Sequence, residues 1–416
     1  MSSYHSPSSM LKLFEAIHLD DLTTDFAPDD HAVPRTSKPA TRSASVQEDD
    51  VADPFHLLKT PLDASSTEPV RRGSHNRGPT TKTSSALTSR QRRSSARAEA
   101  FHRKRSANAH VLHASTSLAE RSVKSRGYTG PLAGGGMPGN ELLEVEIGDG
   151  LAVSVYDSNG YKTVHRANLC KDPAINNACL EAAQLVQAIN PTFDTNQDRG
   201  KFKTYYFSLH RGSVKVPRMS KDVVENFEMY EHLATVLEPV RKQAEAIFKA
   251  EFPLLYERYA HTARTVVANV PGTSAAFFPF TSYCINVGGR RGVSTEKHID
   301  VQNLGPGLCV VVPWGEFDPS IDCKLHVEEL GFTFHLAPGT PIYFPSALYT
   351  HYNSKLVSMG IRGSLVAWTG GSIFQYVDLG CRAVNELSHE EKAEYLRGLK
   401  RRIQEGFDLF PRLPVT

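Results

Sequence analysis

The stretch Glu296-Lys297-His298-Ile299-Asp300 lies where short apolar runs alternate with glycine and proline turns. On a β-strand, residues i and i+2 point to one face, so a strand here presents the imidazole of His298 beside the carboxylate of Asp300. His351 follows Asp300 by 51 residues and comes after residues 338–344, whose sequence is typical of a turn followed by a strand. Two histidines and one carboxylate on one face suit non-haem iron(II), because they leave coordination positions open. We therefore predict a metal site formed by His298, Asp300 and His351.

A carboxylate-binding pair follows the third predicted ligand. Arg362 comes eleven residues after His351 and is followed by Gly363 and Ser364. On an extended strand Arg362 and Ser364 share a face, and together they offer a guanidinium fork and a hydroxyl to a carboxylate.

Similar residue pairs elsewhere in the chain lack this context. His18-Leu19-Asp20 has the same spacing but no strand pattern or downstream partner, and His326-Val327-Glu328 has no histidine and RxS set at suitable spacing. His335 competes with His351 for the third position, yet it stands 27 residues before Arg362. The ordered set of HxD, distal histidine and RxS is the specific signal.

The surrounding pattern predicts an α+β domain over residues 140–416. Helical patterns cover 176–188 and 221–262, with breaks near Pro239 and Pro253, and a final helix to about residue 406 begins with a capping box at Ser388 and Glu391. Asn159-Gly160 predicts a tight hairpin turn. Many short strands separated by turns indicate a sandwich or barrel. The predicted strands lie at 142–154, 204–209, 282–287, 307–312, 325–336, 341–344 and 363–368.

Residues 1–130 are rich in Ser, Thr, Pro, Arg and Asp, and we predict a disordered tail because such a segment buries too little apolar surface. Its charge is divided: residues 15–68 carry 12 acidic and 4 basic side chains, whereas 71–126 carry 14 basic and 2 acidic ones. From residue 127 onward, 28 basic side chains face 31 acidic ones. Attraction to a polyanion is therefore expected mainly from residues 71–126.

The basic clusters at 90–93 and 102–105 fit either nuclear import, and hence a nuclear rather than cytoplasmic protein, or a solvated tail. The six cysteines form no CxxC pair, which predicts reduced, mostly buried thiols in an intracellular protein. No apolar stretch approaches the roughly 20 residues needed to span a bilayer, and the first residues lack a secretory signal, so we expect no membrane association.

The ordered set resembles the double-stranded β-helix (jelly-roll) of the iron(II)- and 2-oxoglutarate-dependent dioxygenases, over roughly residues 280–370 and with supporting helices. The resemblance implies that His298, Asp300 and His351 bind Fe(II). It implies that Arg362 and Ser364 hold the far carboxylate of 2-oxoglutarate, which is decarboxylated to succinate as a substrate C–H bond is hydroxylated.

Within that superfamily, the sequence at 298–307, around the predicted metal ligands, resembles that of the TET/JBP group. Enzymes of this group oxidise the methyl of 5-methylcytosine or thymine in nucleic acid. The resemblance implies that Asn303 supports the ligand pair or contacts a base edge; the alternative is a turn asparagine. A flipped base would enter the site, and Arg290 and Arg291 would meet phosphates unless they form only an exposed turn. Phe277, Phe278 and Phe280 are expected in the core rather than in a stacking site.

Other functions remain open from the sequence. The enzyme alternative is a 2-oxoglutarate oxygenase acting on a protein or small molecule, which gives the basic segment no evident use. A catalytically inactive nucleic-acid-binding relative and a metal-binding cupin are the others, and neither requires His298, Asp300, His351 and Arg362 together.

Overall fold

A computed structural model of the protein describes residues 107–123, 127–130, 142–189, 199–200, 202–212, 214–288 and 292–413, with a few positions between 93 and 104. Over these residues the chain is a mixed α+β structure built on two β-sheets, as the sequence predicts. The strands are β1 (His110–His113), β2 (Leu143–Val145), β3 (Val153–Tyr156), β4 (Lys162–Arg166), β5 (Phe202–His210), β6 (Arg218–Met219), β7 (Ser282–Gly288), β8 (Cys309–Glu316), β9 (Leu325–Val327), β10 (Phe332–Phe334), β11 (Ile342–Phe344), β12 (His351–Asn353) and β13 (Ile361–Trp368).

The helices flank these sheets. Pro239 and Pro253 stand in the first turns of their helices, where a missing backbone N–H costs nothing, so the predicted breaks are confirmed. The helices are α1 (Leu118–Val123), α2 (Pro173–Ile189), α3 (Lys221–Glu225), α4 (Phe227–Val236), α5 (Glu238–Glu251), α6 (Pro253–Asn269), α7 (Gly371–Asp378), α8 (His389–Arg397) and α9 (Leu399–Phe407).

From β7 to β13 the chain crosses repeatedly between the two sheets, and β9 and β10 follow one another in the smaller sheet. The larger sheet has the order β1-β3-β4-β11-β8-β13-β7-β5-β6, and the smaller one the order β12-β9-β10-β2. β7, β8, β11 and β13 are neighbours in the first, and all their pairings are antiparallel. The segment at His298, between β7 and β8, forms a bridge to His351 of the smaller sheet. Residues on consecutive strands are thereby brought face to face across the space between the sheets.

Alternation along β11 shows which side of the larger sheet faces inward. Tyr343 points to the helical side, where its ring stacks on Phe248 of α5 at 5.7 Å and its hydroxyl donates to the carbonyl of Ala244. Phe344 points the other way and meets the ring of His351 edge-on at 4.9 Å. The helices thus support the back of the sheet, and the inner face is left to the predicted ligands.

Several boundaries differ from the sequence prediction. The run at 325–336 is two strands, because a 3₁₀ turn at Glu328–Leu330 ends with Gly331 in the left-handed region (φ 75°) and reverses the chain. The run at 142–154 is likewise interrupted between β2 and β3. The last helix begins at Ser388 with the predicted capping box, but it ends at Arg397, and a second helix follows Gly398.

The folded part also begins earlier than predicted. β1 pairs in parallel with β3, and Leu118 of α1 is fully buried in the core. Tyr128 is buried as well. The assignment of residues 107–123 and 127–130 to a disordered tail is therefore wrong. Most of residues 1–106, with the acidic stretch and most of the clusters at 90–93 and 102–105, lie outside the described residues; of the two clusters, Arg93, Arg103 and Lys104 are described, and all three are exposed.

The thiols fit the prediction. All six cysteines are free, and Cys179, Cys284, Cys309 and Cys323 are buried. Within the described ranges, no helix is long and apolar enough to cross a membrane.

Candidate metal centre

The predicted ligands lie on two adjacent segments of the smaller sheet. His298 and His351 exchange backbone hydrogen bonds, with N···O distances of 3.1 and 2.9 Å. The backbone N–H of Asp300 donates to the carbonyl of Ser346 at 2.9 Å, in the turn that precedes β12. These bonds hold the three residues together, and their donor atoms all lie within 4.8 Å of one another.

Both imidazoles are oriented by backbone carbonyls. Nδ1 of His298 lies 2.7 Å from the carbonyl oxygen of Glu296, and Nδ1 of His351 lies 2.9 Å from that of Tyr349. A ring that donates from Nδ1 carries its lone pair on Nε2. The two Nε2 atoms lie 3.9 and 3.8 Å from the carboxylate oxygens of Asp300. Three lone-pair donors therefore converge on one point, as a metal ion requires.

The electrostatics favour the protonation states that a metal needs. Burial lowers the pKa of His298 to about 4, and the nearby His351 contributes to the shift. Burial also lowers the pKa of His351. For Asp300 burial acts in the opposite direction, but His351, Arg199 and His298 together hold its pKa below the ordinary value. At neutral pH the site is one carboxylate with two neutral imidazoles.

Arg199 is a member of the site that the sequence did not predict. Its Nη1 donates to Oδ1 of Asp300 at 2.8 Å, and its side chain is 45% exposed. Its carbonyl accepts from the N–H of Glu296, which fixes its backbone beside the ligand segment. No motif marks this arginine, since it stands about 100 residues before the ligand pair.

Asn303 supports the ligand carboxylate. Its Nδ2 donates to Oγ of Ser346 at 3.0 Å and approaches Oδ2 of Asp300 at 3.4 Å. Its backbone N–H also donates to the carbonyl of Asp300. The side-chain contacts fit support of the ligand pair, and the backbone bond fits the alternative of a turn asparagine.

Arg362 is a buried cation with spare donors. It is 1% exposed, and its Nη1 donates to the carbonyl of Val293 at 2.7 Å. Nε and Nη2 are buried and have no hydrogen-bond partner among the described residues. Burial lowers the pKa of this guanidinium. Because unpaired buried donors on a charged group are costly, they indicate a place for an anionic ligand.

Ser364 is held by a short relay across three strands. Thr204 of β5 donates to Oδ1 of Asn286 at 2.8 Å, and Nδ2 of Asn286 donates to Oγ of Ser364 at 3.0 Å. The serine oxygen is thus an acceptor in this bond, and the hydroxyl proton remains available to donate to another group. Asn286 and Thr204 were not predicted, although period-two alternation places Ser364 opposite Asn286 once the strands are paired.

Two aromatic side chains stand on the same sheet face. Tyr206 is 38% exposed and meets Trp368 edge-to-face at 6.3 Å. Burial, Cys284 and the nearby Asp300 raise the pKa of Tyr206 to about 12, while Arg199 lowers it. Trp368 lies on the same face of β13 as Arg362 and Ser364, because even-numbered residues of this strand share a face. This spacing is visible in the sequence and could have predicted Trp368 as a site residue.

The remaining site predictions divide in two. Phe277 and Phe280 are buried, and Phe278 packs against the same core, so their assignment to the core is confirmed. Arg290 and Arg291 lie outside the described residues.

The arrangement combines a two-histidine, one-carboxylate triad with an inward-facing, unpaired arginine on a strand of the opposite sheet. This donor set is typical of non-haem iron(II) oxygenases with open coordination positions.

Comparison with solved structures finds members of that class. The chain matches NgTET1 in complex with 5mC DNA at 14% identity and a TM-score of 0.41, covering 67% of this chain and 91% of that one. It matches a 2OG-Fe(II) oxygenase family oxidoreductase from Burkholderia pseudomallei at 14% identity and a TM-score of 0.31, covering 63% and 96%. A Pseudomonas putida prolyl-4-hydroxylase matches at 11% identity and a TM-score of 0.26, covering 50% and 92%.

No protein-family model matches the chain, and no curated protein matches it.

Proposed function

We propose that this protein is an iron(II)- and 2-oxoglutarate-dependent oxygenase. The observation that carries the proposal is the pairing of a convergent His298, Asp300 and His351 triad with the buried, partly unpaired guanidinium of Arg362. A structural metal site does not need the arginine, and an internal ion pair would have given Arg362 a carboxylate. Among the described residues no Asp or Glu lies within ion-pair distance of it.

The triad residues fit iron(II). Imidazole nitrogen and carboxylate oxygen are ligands for this ion, and three of them leave room for a chelating co-substrate and for oxygen. When bound, the metal would supply the oxidation chemistry. The chain keeps both Nε2 atoms unprotonated through the Nδ1 bonds to Glu296 and Tyr349.

Arg362 and Ser364 fit the distal carboxylate of 2-oxoglutarate. The free Nε and Nη2 of Arg362 would donate to it, and Ser364 would add its hydroxyl proton because its oxygen already accepts from Asn286. Both side chains are at least 96% buried, which strengthens a charge-assisted bond by excluding water.

We further propose that β7 to β13, with the segment at 298–300, form a double-stranded β-helix. The repeated crossing of the chain between the two sheets, with antiparallel pairing among β7, β8, β11 and β13 and among β9, β10 and β12, supports this reading.

For the substrate we propose a methylated nucleobase. Tyr206 and Trp368 offer half-exposed aromatic surface near Asp300, which suits a planar ring, and Arg199 adds a cation. The basic segment before residue 107 would then bind phosphates and direct the protein to the nucleus. The half-exposed rings also allow the second candidate, an oxygenase of a protein side chain or small molecule.

The test is succinate formation by full-length, anaerobically iron-loaded protein with 2-oxoglutarate and oxygen. Wild type is compared with His298→Ala and with the control His261→Ala, which changes an exposed histidine on α6. Each is assayed with methylated DNA, unmethylated DNA or no substrate. We expect turnover that methylated DNA stimulates and that only His298→Ala abolishes.

Two other results change the proposal. Turnover that is indifferent to DNA keeps the oxygenase and moves the substrate to a protein or small molecule. Absence of iron-dependent turnover in wild type overturns the catalytic proposal and favours an inactive nucleic-acid-binding relative.

A further inference from the structure

A buried arginine ties helix α1 to the 3₁₀ turn at Glu328–Leu330 and to the turn before His351. Arg121 of α1 is 6% exposed, and its Nη2 lies 2.9 Å from Oε1 of Glu329. Its Nε and Nη2 also donate to the carbonyl of Leu348, at 2.9 and 2.6 Å. The guanidinium thus spans two different segments of the smaller sheet.

Glu329 passes this contact on to the residue that precedes the ligand. Its carboxylate accepts from the N–H of Thr350 at 2.6 Å and from the Thr350 hydroxyl at 2.9 Å. The carbonyl of Thr350 accepts in turn from the N–H of Glu328 at 3.0 Å. Both backbone polar groups of Thr350, and its side chain, are therefore fixed immediately before His351.

The same N-terminal segment reaches the other ligand strand. The N–H of Gly130 donates to the carbonyl of Val301, next to Asp300, at 2.8 Å. A Cβ at Gly130 would lie 2.1 Å from the carbonyl oxygen of Ala347, so only glycine allows this close approach.

We propose that Arg121 is a positioning residue for the metal triad, acting through Glu329 and Thr350 on His351. The proposal rests on the proposed function, since it assumes that the triad binds a metal. The reason is geometric: a metal ion requires its ligands at fixed positions, and the groups that hold those ligands contribute to affinity. Without Arg121 the carboxylate of Glu329 is a buried charge with no cation beside it, and it is no longer held in position to accept from Thr350.

The measurement is cobalt(II) binding to the full-length, chelator-treated protein under anaerobic conditions, followed by the visible ligand-field bands. We expect Arg121→Met to raise the Kd for cobalt(II) by about 10- to 100-fold and to shift the bands. Arg121→Lys, which keeps the charge, should restore part of the affinity.

The matched control removes a buried ion pair elsewhere. Lys162 and Glu251 pair on β4 and α5, with side chains 7% and 8% exposed, comparable to those of Arg121 and Glu329. Lys162→Met should lower thermal stability while leaving the cobalt Kd and spectrum as in wild type. If Arg121→Met does not fold, Thr350→Val tests the same series of contacts, because it removes the hydrogen bond from the Thr350 hydroxyl to Glu329. We expect this variant to raise the Kd for cobalt(II) several-fold.

The outcomes are separable. A wild type that binds no cobalt overturns the metal site and this inference with it. A wild type that binds, together with folded Arg121→Met and Thr350→Val variants that match its Kd and spectrum, overturns the positioning role of Arg121 and leaves the oxygenase proposal intact.

Discussion

At the scale of single residues, the site holds two groups whose charge states are set by burial. Arg362 remains a cation in the interior with two donors unpaired, and His298 remains neutral. The buried, partly unpaired guanidinium costs stability in the ligand-free protein, and the neutral imidazole does so where the pH is below the ordinary pKa of histidine. Functional sites often carry such costs because the ligand, when bound, relieves them.

Replacing the buried cation should therefore stabilise the ligand-free fold. We expect Arg362→Met to raise the free energy of unfolding of metal-free protein by about 1–3 kcal/mol, because a partly unpaired charge gives way to an apolar chain. The same variant should lose the thermal stabilisation that 2-oxoglutarate and cobalt(II) give wild type. Ser364→Ala is the control, with weaker 2-oxoglutarate binding and no gain in stability. An Arg362→Met protein less stable than wild type would show that the guanidinium is satisfied in solution.

The histidine shift gives a pH dependence of defined sign. The folded-state pKa of His298, about 4, lies below the ordinary 6.5. As pH falls through that window the unfolded chain takes up a proton first, so the free energy of unfolding decreases; above 6.5 this contribution is constant. The full loss is roughly 3 kcal/mol as an order of magnitude.

Urea denaturation of metal-free protein between pH 4 and 8 measures this effect. His298→Gln should show a shallower decrease than wild type, although His351, whose pKa is shifted in the same direction, retains its part. Parallel pH profiles for the two proteins would mean that His298 titrates normally in the folded state.

At the scale of strands, the side chains beside the ligands form an outer ladder. Lys297 lies over the ring of Tyr352 at 5.3 Å, and Tyr352 stacks on His326 at 4.5 Å. His326 contacts the hydroxyl of Thr333 at 2.8 Å. Each histidine ligand faces inward. The residue next to it in sequence, Lys297 or Tyr352, contacts the neighbouring segment on the outer face.

Removing the central ring should weaken the sheet without touching the ligands. We expect Tyr352→Ala to lower the free energy of unfolding by about 1–2 kcal/mol through lost stacking and cation–π contact, as measured by urea denaturation. Tyr352→Phe keeps the ring and should cost less than half as much. Equal losses for the two variants would place the contribution in the hydroxyl instead.

Motif order was enough to predict the triad, but the strand predicted at His298 and Asp300 is wrong, because the structure has only an isolated bridge at His298. Strand alternation holds for Arg362 and Ser364, which lie on β13. The run at 325–336 was predicted as one strand although Gly331 stands inside it, because the 3₁₀ turn and the left-handed conformation of Gly331 show only in three dimensions. Arg199 and Thr204 were out of reach, because their positions depend on which strands become neighbours. Residues 107–123 and 127–130 were misassigned because several of their few apolar side chains, such as Leu118 and Tyr128, are buried against parts of the domain that are distant in sequence.

At the scale of the whole molecule, this misassignment changes where the basic segment ends. Arg121 contributes to the positive charge of residues 71–126, but it is buried against Glu329 and is not free to bind a polyanion. Eleven Lys and Arg side chains remain between 71 and 106. The folded domain therefore extends at least from residue 107, and the charged segment before it also contacts that domain, since Glu99 pairs with Lys249 of α5 at 3.2 Å.

Two truncations separate the roles on either side of that boundary. A chain lacking residues 1–106 should bind cobalt(II) with wild-type affinity but lose most of its affinity for DNA and most of its salt dependence, because those basic residues supply the phosphate contacts. For the full chain, with roughly 6–10 such contacts, DNA affinity should fall about 10³- to 10⁵-fold between 50 and 200 mM salt. A chain lacking residues 1–126 also loses Arg121 and should bind cobalt(II) at least about tenfold more weakly. Fluorescence anisotropy with labelled DNA and cobalt titration measure the two effects. If the chain lacking residues 1–106 retained DNA binding with an unchanged dependence of affinity on salt, the folded domain itself would carry the nucleic-acid-binding surface. Arg199 and the exposed residues around the metal site would be the first candidates for that surface.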